Sequence, residues 1–310
     1  MKTAFVFPGQ GSQKIGMLSD YYKNFKIFRK TFEEANEILK FDLWNIIQKD
    51  EILLNKTNYT QPAIFSSSIA IWRVLNEKKL FRSDEDFLLS GHSLGEYSAL
   101  VASGSLNFKD ALHLVKKRAD LMDEVYLKRP CSMVAIMGLN KEDVVDCCFA
   151  AKSLGVVEPA NFNSSKQTVI SGETIAVDKA IQLAKSKGAK LIKKLSVSVP
   201  CHSSIMKEAS YKLKLYLQKI NISKPIFQVL HNCDAKSYNT EKEIKDALVR
   251  QIYSPVQWEK IVNKFKYFGV NRIIECGFGK VLTVLNKKIL CSSDITFLQT
   301  SLSSDINVLE

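Results

Sequence analysis

The segment Gly91-His92-Ser93-Leu94-Gly95 leaves the chain few ways to fold around it. It follows Asp86–Ser90, read as a short strand, and leads into Leu94–Ser103, read as a helix. Glycines two positions either side of the serine let strand and helix pass without Cβ collisions, and the turn between them holds the serine in a strained conformation. Strand followed by helix recurs elsewhere. Thr3–Phe7 reads as a strand that stops at Pro8-Gly9, and Gln61–Lys79 and Asn107–Tyr126 read as helices. Pro225–Leu230, Arg272–Cys276 and Ile295–Gln299 read as further strands with helices between them. The alternation predicts an α/β fold with a parallel sheet covered on both faces.

The middle of the chain follows another order. Ser132–Met137 is a strand, Lys141–Lys152 a helix, Val156–Asn161 and Gln167–Ser171 two strands, Ile175–Lys187 a helix and Lys190–Val199 a strand. This β-α-β-β-α-β succession is that of a ferredoxin-like unit. It predicts a small subdomain, 128–197, inserted into a larger one made of 1–127 and 198–310.

Composition narrows the function classes. The chain has 310 residues, enough for a core without disulfide staples, and 44 Lys plus Arg against 32 Asp plus Glu give a net charge of +12. That surplus calls for an acidic partner. Lysines are spread along the chain with no basic–aromatic cluster, so nucleic acid is not expected. No apolar run approaches the roughly 18 residues of a membrane helix, and the first residues lack a signal-peptide core. Seven cysteines without a CxxC spacing suit a reduced compartment, cytoplasmic or the matrix of an organelle. Four histidines without HExxH or paired Cys/His spacing give no expectation of a metal.

Ser93 in its turn is a candidate nucleophile, exposed at a helix N-terminus that favours developing negative charge. It needs a base. His202 follows the breaker Pro200 on a strand-to-helix loop and is the first choice; His231, at the end of Pro225–Leu230, is the second. His92 lies inside the turn and His113 on a polar helix face. No Asp or Glu stands out as a third member, so a dyad held by a polar group is expected.

Arg118 is out of place. At about 100° per residue, Ala111, Leu114, Val115, Leu121, Met122 and Val125 form one apolar stripe, and Arg118 lies in its middle. A core-facing guanidinium needs a partner: either a structural ion pair or a substrate carboxylate taken by its two-pronged fork. The Pro8-Gly9-Gln10-Gly11-Ser12-Gln13 loop fails the dinucleotide fingerprint, since position 14 is Lys, and instead suits backbone N–H groups aimed at an oxyanion.

These stretches together resemble the malonyl-CoA:acyl carrier protein transacylase family. The matching segments are Phe5–Gln13, Gly91–Tyr97, Arg118-x-x-Leu-Met122, Asn161-Phe-Asn163, Val197–Ser204, Gln251-x-Tyr-x-Pro-Val-Gln-Trp258 and Gly277-x-Gly-Lys280, collinear over nearly the whole chain. The resemblance implies an α/β-hydrolase-like large subdomain with an inserted ferredoxin-like one. It implies ping-pong transfer of malonyl from coenzyme A to Ser93, then to the phosphopantetheine thiol of an acidic acyl carrier protein in fatty acid biosynthesis. Ser93 would attack, His202 would carry the proton, and the N–H groups of Gln10 and Leu94 would form the oxyanion hole. Arg118 would hold the malonyl carboxylate, with Met122 beside it. The Gln251 main-chain carbonyl would orient His202, and Asn161 and Asn163 would lie near the pantetheine arm. No cofactor beyond the coenzyme A thioester substrate, no membrane and a monomer are expected.

Two positions depart from the family pattern. Cys201 stands where many members carry Phe, which predicts room for a methylmalonyl group. Phe278 replaces a proline in the Gly-x-Gly-Lys turn. A serine hydrolase would share Ser93 and His202 but gives no use for Arg118. A catalytically inert binding module predicts loss of Ser93, His202 or Arg118, and all three are present.

Overall fold

The computed structural model describes residues 2–80, 87–195, 199–291 and 294–309. Among the described residues the strands are β1 (Thr3–Phe7), β2 (Phe87–Gly91), β3 (Cys131–Met137), β4 (Val157–Ser164), β5 (Gln167–Glu173), β6 (Leu191–Lys194), β7 (Gln228–Val229), β8 (Arg272–Glu275) and β9 (Thr296–Gln299). They form two sheets. One is parallel throughout, in the order β7-β2-β1-β8-β9; the other is antiparallel, in the order β4-β5-β3-β6.

β1 shows why the first sheet is covered on both faces. Its residues are all fully buried. Phe5 and Phe7 meet Trp72 of the Thr57–Glu77 helix at ring distances of 5.0 and 6.1 Å. Ala4 and Val6 point the other way and join a core with Trp258, Ile261 and Phe265 of the Trp258–Tyr267 helix. A strand buried at every position, with the apolar run Ala4–Phe7, fits such a two-sided burial.

The second sheet has two unlike faces. Val134, Ile136 and Ile170 pack on Val144 and Cys147 of the Lys141–Ala151 helix and Val177 and Ala180 of the Thr174–Ser186 helix. Met133, Ala135, Met137 and Val169, one residue out of phase, turn to a cavity between the sheets. β4 joins the rest of the chain through Phe162 N–H to Val256 O at 2.9 Å and Val256 N–H to Ala160 O at 2.8 Å.

The α/β class and the two kinds of sheet agree with the expectation. Some boundaries do not. The strand expected over Pro225–Leu230 is only Gln228–Val229, because Ser223 and Ile226 give their N–H groups to Ser105 O and Ser103 O rather than to a strand. The strand expected over Lys190–Val199 is described as Leu191–Lys194, and residues 196–198 lie outside the described residues. The helix expected from Gln61 starts at Thr57. The helices Ser19–Asn24, Lys26–Leu39 and Leu43–Lys49 had no counterpart in the sequence reading. Among the described residues no helix is long and apolar enough to cross a membrane.

Candidate active site

β1 and β2 run in register, with Phe7 opposite Gly91, so their C-terminal ends open side by side. Ligands of open parallel sheets bind at such ends. Beyond β2, Ser93 has φ +51°, the left-handed turn that the motif requires. Both glycines are needed sterically: a Cβ on Gly91 would fall on the Gly95 carbonyl, and one on Gly95 on the Phe7 carbonyl. The His92 N–H bonds to Phe7 O at 2.9 Å and ties the turn to β1.

Ser93 Oγ and His202 Nε2 are 2.7 Å apart. His202, also left-handed at φ +61°, is held from the other side by the end of the Glu241–Tyr253 helix. Its Nδ1–H donates to Gln251 O at 2.7 Å and its backbone N–H to Ile252 O at 2.9 Å. The last carbonyls of a helix have no intrahelical donor and carry the negative end of its dipole. They do here what a buried carboxylate does in a triad: fix the tautomer and favour the imidazolium. Glu158 Oε2 of β4 also accepts the Ser204 N–H, at 2.6 Å, just beyond the histidine. Burial first, then the nearby Arg118 guanidinium, push the His202 pKa down to about 3, with the Gln251 carbonyl opposing. His202 is therefore neutral and ready to accept a proton at neutral pH.

Arg118, on the Phe108–Tyr126 helix, is 1% exposed. Its Nη2 donates to Ser93 Oγ at 3.1 Å and to Gln251 Oε1 at 3.2 Å, and its Nη1 to Gln61 Oε1 at 2.7 Å. Among the described residues no carboxylate bonds to Arg118, so the structural ion pair left open by the sequence is not what occupies it; its guanidinium lies 5.5 Å from the Tyr97 ring centre, beside the nucleophile.

Ser93, His202 and Arg118 line a cavity of about 560 Å³ with Gln10, Leu94, Asn161, Asn163 and Cys201. Among the described residues neither the Gln10 nor the Leu94 N–H is taken by an internal acceptor, so both are available to an oxyanion. Asn163 Oδ1 accepts from His92 Nε2 at 2.8 Å, and Asn161 Nδ2 lies 3.3 Å from the same nitrogen. Lys193, Lys280 and Lys288 also line the cavity.

Two of the expected site residues sit one layer back. Met122 is fully buried, its Sδ accepting from Gln61 Nε2 at 3.6 Å, and Gln251 acts through Arg118, His202 and Ser93 rather than from the cavity wall. His231, the second choice of base, is buried against Glu96 at 2.7 Å and does not bond to Ser93. Gln61 went unread. It looked like one more position of a buried helix, and only its place before Pro62 marked it. Asn232, whose Oδ1 takes the Ser93 N–H at 2.7 Å, also gave no signal, because its contact spans 139 positions of sequence. Among the described residues no group of three or more His, Cys, Asp or Glu side chains could hold a metal ion.

Residues 4–295 match the acyl transferase domain family. The malonyl CoA-acyl carrier protein transacylase of Haemophilus influenzae is 45% identical over 290 residues, 93% of this chain and 92% of its own. That of Bacillus subtilis is 41% identical over 290 residues, 93% of this chain and 90% of its own. Among solved structures, an acyl carrier protein S-malonyltransferase from Vibrio cholerae superposes with a TM-score of 0.94 at 41% identity, covering 100% of both chains. A malonyl-transacylase in complex with its type II polyketide acyl carrier protein superposes with a TM-score of 0.96 at 41% identity, covering 100% of this chain and 99% of the other.

Proposed function

Because the chain belongs to the acyl transferase family, we infer from its site that it moves malonyl from malonyl-CoA to the phosphopantetheine thiol of an acyl carrier protein, feeding fatty acid biosynthesis. The observation that carries the choice of acyl group is Arg118 Nη2, buried 3.1 Å from Ser93 Oγ with no carboxylate of its own. A guanidinium there is complementary to an acyl chain that ends in a carboxylate.

The chemistry runs in two matching halves. Ser93 Oγ attacks the thioester carbonyl as His202 Nε2 takes its proton. The Gln10 and Leu94 N–H groups receive the oxyanion. The C–S bond breaks, His202 returns the proton to the coenzyme A sulfur, and malonyl is left as an ester on Ser93. The carrier thiol then gives its proton to His202 and attacks that ester, and Ser93 regains its hydrogen. A monomer with no cofactor beyond the thioester is part of the same proposal. Lys193, Lys280 and Lys288 suit the phosphates of coenzyme A and of the carrier's arm, and an acidic carrier surface.

Intact mass after mixing with malonyl-CoA tests the reading. The protein should gain one malonyl group and lose it on addition of holo carrier protein, and Ser93→Ala should gain none. Free malonate with no adduct would favour a hydrolase, and no reaction at all an inert binding module.

A further inference from the structure

Glu96, which follows the second glycine of the turn, is fully buried, and no step of the transfer uses it. Its Oε1 accepts from His231 Nδ1–H at 2.7 Å. Its Oε2 accepts from the Asn232 N–H at 2.9 Å and from Gln251 Nε2 at 3.2 Å. Gln251 Nε2 also donates to Ser93 O at 2.7 Å, and its Oε1 receives Arg118 Nη2 at 3.2 Å.

A glutamine amide can stand either way round, and here the choice decides whether Arg118 meets an oxygen or an NH2 group. A carboxylate only accepts. Glu96 and the Ser93 carbonyl, both acceptors, therefore admit only the orientation with Nε2 towards them and Oε1 towards the guanidinium. His231 locks the carboxylate in turn. Its Nε2 is buried with no partner among the described residues, so a proton there would be an orphaned donor, whereas on Nδ1 it meets Glu96. A glutamine at 96 would bring its own NH2 against the His231 N–H, or against the Asn232 and Gln251 donors. The second arrangement sets two NH2 groups against each other and strains the Gln251 amide, which the Ser93 carbonyl holds by its Nε2, away from the guanidinium.

Building on the transferase reading above, we propose that Glu96 is a positioning residue for acyl-group selection. With the Ser93 carbonyl it fixes the Gln251 amide, and through it presents Arg118 to the substrate carboxylate. The role lies in its charge and not in its bulk.

Rapid-quench intact mass gives the rate of Ser93 acylation from malonyl-CoA and from acetyl-CoA, which lacks the carboxylate. In Glu96→Gln the malonyl-to-acetyl rate ratio should fall at least tenfold, and in Glu96→Asp, which keeps the charge, it should stay near the wild-type ratio even if both rates drop. An unchanged ratio in E96Q, whether both rates fall together or neither moves, overturns the proposal. So does an E96D ratio that falls as far as that of E96Q. If E96Q does not fold, E96D decides alone: a kept ratio supports the proposal and a lost one overturns it. A wild type that takes no malonyl overturns the underlying transferase reading instead.

Discussion

Arg118 reaches Ser93 directly: its Nη2 is 3.1 Å from the Oγ that His202 Nε2 approaches to 2.7 Å from the other side. Cation and base thus share one hydroxyl. On the proposed reading, an acyl group on Ser93 would free the guanidinium for its far carboxylate.

Removing that cation should separate binding from chemistry. Arg118→Ala should lower kcat/KM for malonyl-CoA by about a hundredfold, the worth of a charge-assisted hydrogen bond near 3 kcal/mol. Acetyl-CoA should be accepted as well as before or better. An unchanged preference in competition assays would remove Arg118 from its role.

The acid limb of activity should lie far from that of an ordinary histidine. With the His202 pKa at about 3, kcat/KM for malonyl-CoA should show no inflection near 6.5 from this group. Arg118→Gln removes one of the causes that lower it, the largest after burial, so the limb should move up in pH. Stability follows the same sign. The unfolded chain takes up the proton between pH 6.5 and about 3 while the folded one does not, so His202 erodes stability as pH falls through that window and is neutral to it above. Urea midpoints measured across the range would check this.

Gln251→Ala should spare the main-chain carbonyl that holds His202 and lose only the side-chain links to Arg118, Ser93 and Glu96. Its kcat should fall by roughly tenfold with the pH limb of His202 in place. Full activity would show those links to be idle.

Cys201 lies on the cavity wall, and its thiol, with pKa raised to about 11 by burial, is not a competing nucleophile. We expect methylmalonyl-CoA to load wild-type enzyme detectably in competition with malonyl-CoA, and Cys201→Phe to abolish that while keeping malonyl transfer. No methylmalonyl ester on the wild type would sink the idea.

Gly95→Ala tests the turn itself. Its Cβ would fall on the Phe7 carbonyl, so the substitution should cost about 3 kcal/mol and show as a large drop in melting temperature. A stable variant would mean that strand and helix can part.

How much of this could be read beforehand depended on distance along the chain. Ser93 sits in a motif of five consecutive residues, and Arg118 contradicts the stripe of its own helix, so each announces itself locally. His202 could be ranked above His231 only by its loop. What holds His202 could not be read from residue types at all, because a main-chain carbonyl at 251 has no side-chain signature; only the resemblance pointed there. Gln61 and Asn232 are polar residues that acquire partners 57 and 139 positions away once the sheet brings them together. Pro225–Leu230 carried the apolar character of a strand, yet its Ile226 and the nearby Ser223 found loop carbonyls first.

The antiparallel sheet supplies Met133, Ala135, Met137 and Val169 to the cavity but none of Ser93, Arg118, His202 or Gln251. Walls and machinery are therefore inherited from different stretches of sequence. Met133, Ala135, Met137 and Val169 can change and reshape the cavity wall while Ser93, Arg118, His202 and Gln251 keep their contacts. Glu158, Asn161 and Asn163 of β4, which bond the Ser204 N–H and His92, are instead tied to the machinery. The same partition gives selection two separate handles on one catalyst.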